Sequence, residues 1–567
     1  MDATKVIIDS VERFKQRRTA PLILELDLTE GLTDGSPPAD PLSAIMAMRK
    51  TSLTDVLAGL KRARKDDRVK ALIVKIGTQP LGLAIVQELR QAVIHFRASG
   101  KLTVAFAETF GEIGGGTVPY YLGSAFERVY LQPSGDVGLT GIAMEQRFLR
   151  GALGKIGVEY QIGQRHEYKT AANTFTQDHM TEAHRESMSR ITESVTEQVT
   201  AGIAEGRGLE PAKVRELIDQ GPFIGAEAVE AGLVDRLAYR DEVYDEVKGA
   251  VGDGAMLLYV GRYAKSLSAK KLPHPGEQVV ALVRGNGAIR LGRSGRSPLG
   301  GGGAMGSDTI CAALRAARND DNVKAVVFRV DSPGGSYTAS DAIWREVVLT
   351  RKAGKPIIIS MGDLAASGGY MVSMAADVIV AQPGTLTGSI GVFGGKAVIG
   401  GLLEKIGVTT ETVGEGTNAG MFSSTNAFSE AQWARINAWL DRVYDDFVNK
   451  VAEGRGLSRE RAHELAKGRV WTGADALEGG LVDELGGLED ALAIARKKAG
   501  LAVDAPVRVY PKLNPLERLR PAESSEDKAA ALARVRLESW GPLAHLAGEL
   551  GLPSYGPLIL PGTWTIR

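Results

Sequence analysis

Two loops in the second half of the chain carry residues whose types and order suit nucleophilic chemistry. The first loop is Asp331–Ser336, with the sequence Asp-Ser-Pro-Gly-Gly-Ser, and it follows an apolar run. Its adjacent glycines allow backbone N–H groups to turn outward, where they can bind an oxyanion or a phosphate. A Pro-Gly-Gly segment taken alone more often forms a tight turn between a strand and a helix. The interpretation therefore depends on what else the chain carries.

The second loop, Asp363–Tyr370, contains small residues that permit a sharp turn into a helix starting near Ser367. A hydroxyl at such a turn is exposed in the manner of a hydrolase nucleophile, although the G-x-S-x-G motif itself is absent. A lone serine in this position more commonly caps the helix. A serine nucleophile also needs a base, and no histidine lies between His274 and His463.

A neutral lysine can serve as the base instead of histidine when burial lowers its pKa. The best candidate is Lys169, because small and apolar residues follow it rather than a run of charges. Most lysines are solvated, so composition alone would not select this one.

An internal duplication organises the chain. Five pairs of matching segments occur in the same order in the two halves: 63–74 with 317–328, 132–133 with 382–383, 155–158 with 405–408, 204–209 with 452–457, and 232–235 with 480–483. The matches predict an N-terminal extension (1–19), a first repeat (20–245), a linker (246–276), a second repeat (277–500) and a C-terminal tail (501–567).

The candidate serine and the candidate lysine occur in different repeats, and neither has a counterpart in the other repeat. Ser367 aligns with Thr117, and the Pro-Gly-Gly segment has no counterpart in the first repeat. Lys169 aligns with Ala419 in the second repeat. The first repeat would therefore supply the lysine and the second the serine, and the two must face each other within one chain or between neighbouring chains.

Each repeat also has the pattern of an α/β fold. Apolar runs such as 325–330 and 356–360 show no alternation, and helical stretches separate them. Continuous short β-branched runs between helices are typical of strands buried on both faces, and hence of a largely parallel sheet. The charged stretch 430–452 predicts a long helical arm for packing or oligomerisation.

Composition excludes several classes of protein. The 567 residues include 68 Lys+Arg and 68 Asp+Glu, so the basic footprint of nucleic-acid binding is missing. A single cysteine, Cys311, excludes an internal disulfide and a cysteine cluster for zinc or iron–sulfur. We find no signal-peptide h-region and no apolar run of about 18 residues. These features predict a cytoplasmic or peripherally membrane-associated protein.

Taken together, the motifs resemble those of the signal peptide peptidase A family in its long, two-repeat form. The resemblance covers about residues 20–500 and rests on Asp331–Gly335, Ala366–Tyr370, Thr385–Gly391 and Tyr168–Lys169. It implies two tandem Clp-protease/crotonase-like repeats with largely parallel sheets. The implied activity is that of a serine–lysine endopeptidase acting on apolar peptides such as cleaved signal peptides. The resemblance also implies a homo-oligomer, a tetramer, and neither metal nor cofactor.

The resemblance gives five residues a role. Ser367 is similar to the nucleophile of the family and Lys169 to its general base. The N–H groups of Gly335 and Gly368 are similar to the oxyanion hole. Ser389 is similar to a serine that hydrogen-bonds the lysine and orients it.

Alternatives from other classes stay open at this point. The same fold and paired glycines would suit a crotonase-type acyl-CoA enzyme, although no convincing pair of catalytic glutamates lies near either loop. A non-catalytic scaffold would keep the fold, although both the serine and the lysine are present. A Clp-type Ser-His-Asp triad is disfavoured, because no histidine follows Ser367 before His463.

Three features lie outside the shared motifs. Long members of the family typically carry an N-terminal membrane anchor, which we do not find here. The Gly-rich loop 292–306 either flanks the substrate groove or is a plain flexible insertion. The tail carries a partly amphipathic set that would pack on the body, or else contact a membrane surface or another subunit. This set comprises Leu532, Val535, Leu537, Trp540, Leu543 and Leu546.

Overall fold

The computed structural model describes residues 19–34, 51–268, 276–295, 303–510 and 558–559. Within these ranges the chain forms two α/β units that contact each other. The apolar set in the tail (532–546) and the centre of the Gly-rich loop (296–302) lie outside the described residues. The α/β fold class with largely parallel sheets is confirmed.

The first unit is built on a parallel sheet. The strands in this part of the chain are β1 Leu22–Asp27, β2 Val69–Ile76, β3 Leu102–Ala107, β4 Arg128–Leu131, β5 Asp136–Val137, β6 Glu159–Gln164, β7 Phe223–Ile224, β8 Arg236–Leu237 and β9 Met256–Tyr259. Six of them form one sheet in the order β8-β4-β3-β2-β1-β9, and every neighbouring pair is parallel. Helices cover both faces, which explains why β1 to β3 are apolar without alternation.

The second unit repeats this plan. Its strands are β10 Val279–Asn286, β11 Ala288–Arg290, β12 Ala304–Gly306, β13 Val323–Ser332, β14 Gly334–Gly335, β15 Ile357–Ala366, β16 Val378–Ala381, β17 Leu386–Gly388, β18 Phe393–Val398, β19 Val470–Thr472, β20 Glu484–Leu485, β21 Val507–Val509 and β22 Leu558–Ile559. The main sheet has the order β19-β17-β15-β13-β10-β21, with β16 paired to β15 and β20 paired to β16. A small sheet, β12-β11-β14-β22, lies at its edge.

Helices connect the strands in both units. In the first unit they are α1 Leu53–Ala63, α2 Leu83–Arg97, α3 Thr117–Gly123, α4 Arg150–Lys155, α5 Asn173–Thr176, α6 Glu182–Arg207, α7 Pro211–Gln220, α8 Gly225–Glu230, α9 Arg240–Val251 and α10 Val260–Ser268. In the second they are α11 Ser307–Asn319, α12 Tyr337–Lys352, α13 Gly368–Met371, α14 Gly400–Lys405, α15 Glu430–Arg455, α16 Arg459–Leu465, α17 Gly473–Glu478 and α18 Leu488–Lys498.

The long helices α6 and α15 show how closely the two units correspond. Each has 26 residues and begins after a capping hydroxyl, that of Thr181 in one and Ser429 in the other. Each ends at a left-handed glycine, Gly208 with φ 65° and Gly456 with φ 63°. One face of α15 is buried in the second core. The helix therefore packs on its own unit, which is one of the two roles predicted for the arm.

The structure divides the chain differently from the predicted boundaries. The predicted linker 246–276 contains β9, which pairs with β1, and α10, which packs on α1. The predicted tail 501–567 likewise begins with β21, which pairs with β10. Both strands supply backbone hydrogen bonds to the otherwise open edge of a sheet. The sheets therefore extend to Tyr259 and Val509, and both edge strands lie beyond the last repeated segment.

A strand pairing and a shared apolar core are among the contacts that hold the units against each other. Strands β6 and β18, one from each unit, form an antiparallel ribbon with Gln164 opposite Phe393. The apolar core of the first unit also includes Ala366, Leu386 and Val470 of the second. The units therefore share a core beside the turn that carries Ser367.

Candidate active site

Ser367 follows directly after the C-terminal end of strand β15, an inner strand of the sheet. The predicted loop from Asp363 is shorter than expected, because residues up to Ala366 continue the strand by pairing with β17. Only Ser367 makes the turn, with φ 56° and ψ −114°, and Gly368 begins α13. A non-glycine residue with positive φ stores about 1–3 kcal/mol of strain and is common at functional sites. The turn thus places the hydroxyl at a strained strand-to-helix junction, where Ser367 is fully buried.

Two glycines lie beside this serine. Gly335 has φ 153°, and a Cβ there would lie 2.1 Å from the carbonyl oxygen of Ile289, so only glycine fits. A Cβ on Gly368 would lie 3.1 Å from Gly335 N. As the first residue of α13, Gly368 has no acceptor for its N–H within the helix. The structure therefore brings together the two predicted oxyanion-hole glycines.

Lys169 reaches Ser367 from the first unit of the same chain. It follows β6 and precedes a short 3-10 turn, Thr170–Ala172. Its Nζ lies 2.9 Å from Ser367 Oγ. The same nitrogen lies 2.9 Å from the carbonyl oxygen of Ser389 and 2.8 Å from its Oγ. All three contacts fall within hydrogen-bonding distance.

Burial sets the electrostatics of this lysine. The Lys169 side chain is among the largest fully buried ones, with 1% of its surface exposed. Its three hydrogen-bond partners are hydroxyl and carbonyl oxygens, none of which carries a charge. Desolvation therefore lowers the pKa of Lys169 from 10.5 to about 7. A large fraction of this amine is neutral near neutral pH.

Ser389 holds the lysine through two different oxygens. It follows β17 with a positive φ of 51°, a second strained serine in the site. Its own N–H donates to the carbonyl of Arg469 at 2.7 Å, which fixes the turn. Both the carbonyl and the hydroxyl of Ser389 consequently face the amine.

Sequence reasoning missed the glycines that make room for the lysine. A Cβ at Gly391 would lie 3.1 Å from Lys169 Cδ, and one at Gly468 would lie 2.4 Å from Lys169 N. Gly391 ends Thr385–Gly391, one of the segments that carry the family resemblance, but the sequence does not indicate that this glycine makes room for Lys169. Gly468 lies far from every motif, so no local signal identified it.

His166 and His463 contact side chains other than that of Ser367. His166 lies just before Lys169, and its ring packs on His463 with centroids 4.9 Å apart. His463 Nδ1 lies 2.9 Å from Tyr444 Oη. None of the hydrogen bonds found among the described residues joins a histidine to Ser367. The same described ranges contain no cluster of three or more His, Cys, Asp or Glu side chains able to hold a metal ion.

The corresponding position of the first unit is closed. Thr117 is buried, and its Oγ1 donates to the carbonyl of Gly141 at 3.0 Å while accepting from the N–H groups of Thr140 and Gly141. A Cβ on Gly116 would lie 1.5 Å from the carbonyl oxygen of Phe110. The Thr117 hydroxyl is thus fully engaged in bonds to the backbone.

Comparison with known proteins identifies the family. The model of peptidase family S49 matches residues 95–252 and 350–502, one stretch in each unit. This chain belongs to peptidase family S49. Because family members are known as proteases, the chain is a serine-type endopeptidase, and the acyl-CoA and scaffold alternatives lose their support.

Individual relatives extend the similarity over most of the S49 chain. A protein of Arabidopsis thaliana described as serine protease SPPA, chloroplastic, is 32% identical over 84% of this chain and 69% of its own. Protease 4 of Salmonella typhi is 33% identical over 80% of this chain and 73% of its own. A putative signal peptide peptidase SppA of Enterococcus faecium is 41% identical over 35% of this chain and 57% of its own. Long relatives therefore share both units.

No helix within the described residues is both long and apolar enough to cross a membrane.

Adding one methyl group at Gly391 should displace the Lys169 side chain. In Gly391→Ala the new Cβ would lie 2.8 Å from Gly468 Cα as well as close to Lys169, so the amine must shift. We expect kcat for peptide hydrolysis to fall about 10²-fold, since a displacement near 1 Å can cost that much. Gly154→Ala is the control, because a Cβ there meets nothing within 4 Å. Full activity in a folded Gly391→Ala variant would contradict the assignment.

Proposed function

We propose that this S49 peptidase cleaves apolar peptides, such as cleaved signal peptides, with a Ser367–Lys169 dyad formed within one chain. The observation that carries the proposal is the 2.9 Å contact between Lys169 Nζ and Ser367 Oγ inside a buried, uncharged environment. Such a mechanism requires a nucleophile and a base within hydrogen-bonding distance of each other. It also requires a third group that orients the base.

The hydrogen bonds of the amine fit a neutral base. A neutral amine has two N–H groups and one lone pair. The carbonyl and hydroxyl oxygens of Ser389 accept the two N–H groups, at 2.9 and 2.8 Å. The lone pair is then directed to the O–H of Ser367. Ser389 would orient the base in this way.

The dyad carries out acyl transfer in two steps. Lys169 takes the proton of Ser367 while Oγ attacks the carbonyl carbon of the peptide, forming a C–O bond and an oxyanion. The intermediate collapses, the C–N bond breaks, and the Lys169 ammonium protonates the leaving amine. Water then attacks the carbonyl carbon of the acyl-enzyme and gives a proton to Lys169. The bond from that carbon to Ser367 Oγ breaks, the Lys169 ammonium returns the proton to Oγ, and the acid is released.

The N–H groups of Gly335 and Gly368 would stabilise the oxyanion. Their adjacency across the two loops supports this role, because donors must be fixed before charge develops. Removing one such donor costs about 10²–10³ in rate in other serine hydrolases.

An extended peptide can dock beside these glycines. Strand β14, which consists of Gly334 and Gly335, pairs antiparallel with the backbone of β22 from the end of this chain. The edge of β14 therefore accepts a segment of extended backbone, as a peptide substrate would present. The described ends of the Gly-rich loop lie next to it, since β11 pairs with both β12 and β14. The apolar substrate class rests on the signal peptide peptidase name of one relative.

Assembly and membrane contact stay predictions. A homo-oligomer, a tetramer, and peripheral membrane contact are consistent with exposed apolar side chains on the second unit. These include Ile406, Val413 and Phe422.

Removing either member of the dyad should abolish hydrolysis. We expect Ser367→Ala and Lys169→Ala each to lower kcat for an apolar fluorogenic peptide by at least about 10³, because nucleophile and base act as a unit. Lys213→Ala is the control, since its side chain is exposed and pairs only with Glu216 on the surface. Circular dichroism checks folding. A folded Lys169→Ala variant with full activity would show that another group activates the serine.

The rate should follow ionisation of the lysine. With a pKa of about 7 for Lys169, kcat/KM is expected to rise about tenfold per pH unit below pH 7 and to level off above pH 8. Stopped assays with one peptide over pH 5–9 measure this limb. A rate that keeps rising to pH 10 would mean that the base is an ordinary, solvated lysine.

A further inference from the structure

Two carboxylates stand where the strands of the second unit lead into the two candidate loops. Asp331 is on β13, shortly before Gly335, and Asp363 is on β15, shortly before Ser367. Both are partly buried. Neither takes part in the proposed proton transfers, so their position calls for another explanation.

Each carboxylate accepts a hydrogen bond from the backbone of another element. Asp331 Oδ1 accepts from Leu364 N at 3.1 Å, which fixes β15 to β13 just before the turn. Asp363 Oδ1 accepts from Ile85 N at 3.1 Å, in the first turn of α2 of the first unit. The N-cap of α2 is Gly82, which has no side chain to accept this bond. Asp363 therefore supplies, from the second unit, an acceptor that α2 lacks.

Glycines press against both carboxylates. A Cβ on Gly82 would lie 1.9 Å from Asp363 Oδ2, and one on Gly362 would lie 2.8 Å from Asp331 Cβ. Such close packing leaves the two side chains little freedom to move. The junction between β13, β15 and α2 is consequently fixed in position.

The pair belongs to a cluster with more acids than cations. Arg329 on β13 is 1% exposed and binds two carboxylates of the first unit, Asp34 and Glu88, each at 2.8 Å. Arg284 on β10 lies near Asp34 as the second cation. Asp55 also lies near Arg284 and pairs with Lys265 at 3.7 Å, so five carboxyl groups face two guanidinium groups and one ammonium group. Excess buried negative charge is costly unless protons neutralise it.

Burial raises the pKa of both aspartates. Desolvation raises the pKa of Asp331 to about 6, opposed by Arg329 and reinforced by Asp34. It raises the pKa of Asp363 to about 7, and the charge of Asp331 adds to the effect. Burial also raises the pKa of Glu88. The folded protein therefore retains protons in this cluster at a pH where the unfolded chain has lost them.

We infer that Asp331 and Asp363 are positioning residues that join the oxyanion loop, the nucleophile strand and helix α2 into one proton-dependent junction. The inference rests on the proposed function, because it assigns the two carboxylates to holding Gly335 and Ser367 in register. Loss of the protons puts unbalanced negative charge into the junction and lowers the stability of the fold.

Thermal unfolding tests the proton dependence. A carboxyl group with a raised pKa stabilises the fold fully below about pH 4, and this contribution is lost as the pH rises through about 6–7. In a Ser367→Ala background, Asp363→Asn and Asp331→Asn should raise Tm by about 2–4 °C at pH 8 and little at pH 5. Each amide keeps an acceptor oxygen but cannot ionise. Equal pH dependence of Tm in the parent and both variants would overturn the inference.

Measurements of kcat and KM distinguish a positioning role of Asp363 from a purely structural one. Asp363→Ala removes the acceptor for Ile85 N, and we expect kcat to fall at least tenfold with KM within twofold, at a temperature where the variant is folded. Asp363→Asn should restore most of kcat at pH 7. Asp377→Ala is the matched control, because Asp377 Oδ2 accepts from Ile357 N at 2.9 Å at the opposite end of β15. It should lower Tm without changing kcat.

The result that would refute the positioning role differs from the result that would refute the proposed function. An Asp363→Ala variant that loses stability but keeps the kcat of the wild type would refute the positioning role. A wild-type protein that hydrolyses no peptide would refute the proposed function instead. The melting comparison would still decide whether the junction depends on protons, because it is made without the Ser367 hydroxyl.

Discussion

Desolvation of the Lys169 amine is the constraint on which the arrangement of both units depends. A solvated lysine is protonated at neutral pH and cannot accept a proton. Among the described residues, the amine hydrogen-bonded to Ser367 Oγ belongs to Lys169 of the first unit, and a lysine carried on an exposed loop would keep its charge. Closing the first unit over the turn buries the amine and lowers its pKa to about 7. The shared core and the β6–β18 ribbon then have a chemical purpose in the proposed mechanism, which is to keep water away from one nitrogen.

Duplication allows the two units to divide this task. The second unit keeps the strained turn at Ser367 and the paired glycines, while the first has filled the same turn with the bonds of Thr117. The first unit keeps the lysine after β6, where the second has Ala419. Polar contacts across the interface, from Arg329 to Asp34 and Glu88, fix the relative position of the two sheets. A buried ion pair contributes more to a unique arrangement than to net stability, and that suits an interface that must place two atoms 2.9 Å apart.

The sequence was most informative where chemistry or periodicity is local. Non-alternating apolar runs predicted the parallel sheets, and matching segments predicted two units. The resemblance named Ser367, Lys169, Gly335, Gly368 and Ser389, which the structure brings together. Contacts between distant segments could not be predicted. Gly468 makes room for the lysine although it lies far along the chain, and the membership of β9 and β21 in the sheets is set by edge pairing rather than by repeated sequence. Backbone strain at Ser367 and Ser389 could not be predicted from the sequence either, because serine has no intrinsic preference for positive φ.

The ionisation of Lys169 can be observed directly. Lysine labelled with ¹³C at Cε and ¹⁵N at Nζ would be incorporated into the Ser367→Ala variant, with Lys169→Arg in the same background assigning the resonance. The shifts of Lys169 should titrate with a midpoint near pH 7, well below the ordinary value for a lysine. A midpoint of 10 or above for Lys169 would contradict the central claim, because an amine with that pKa is protonated at neutral pH and cannot activate Ser367.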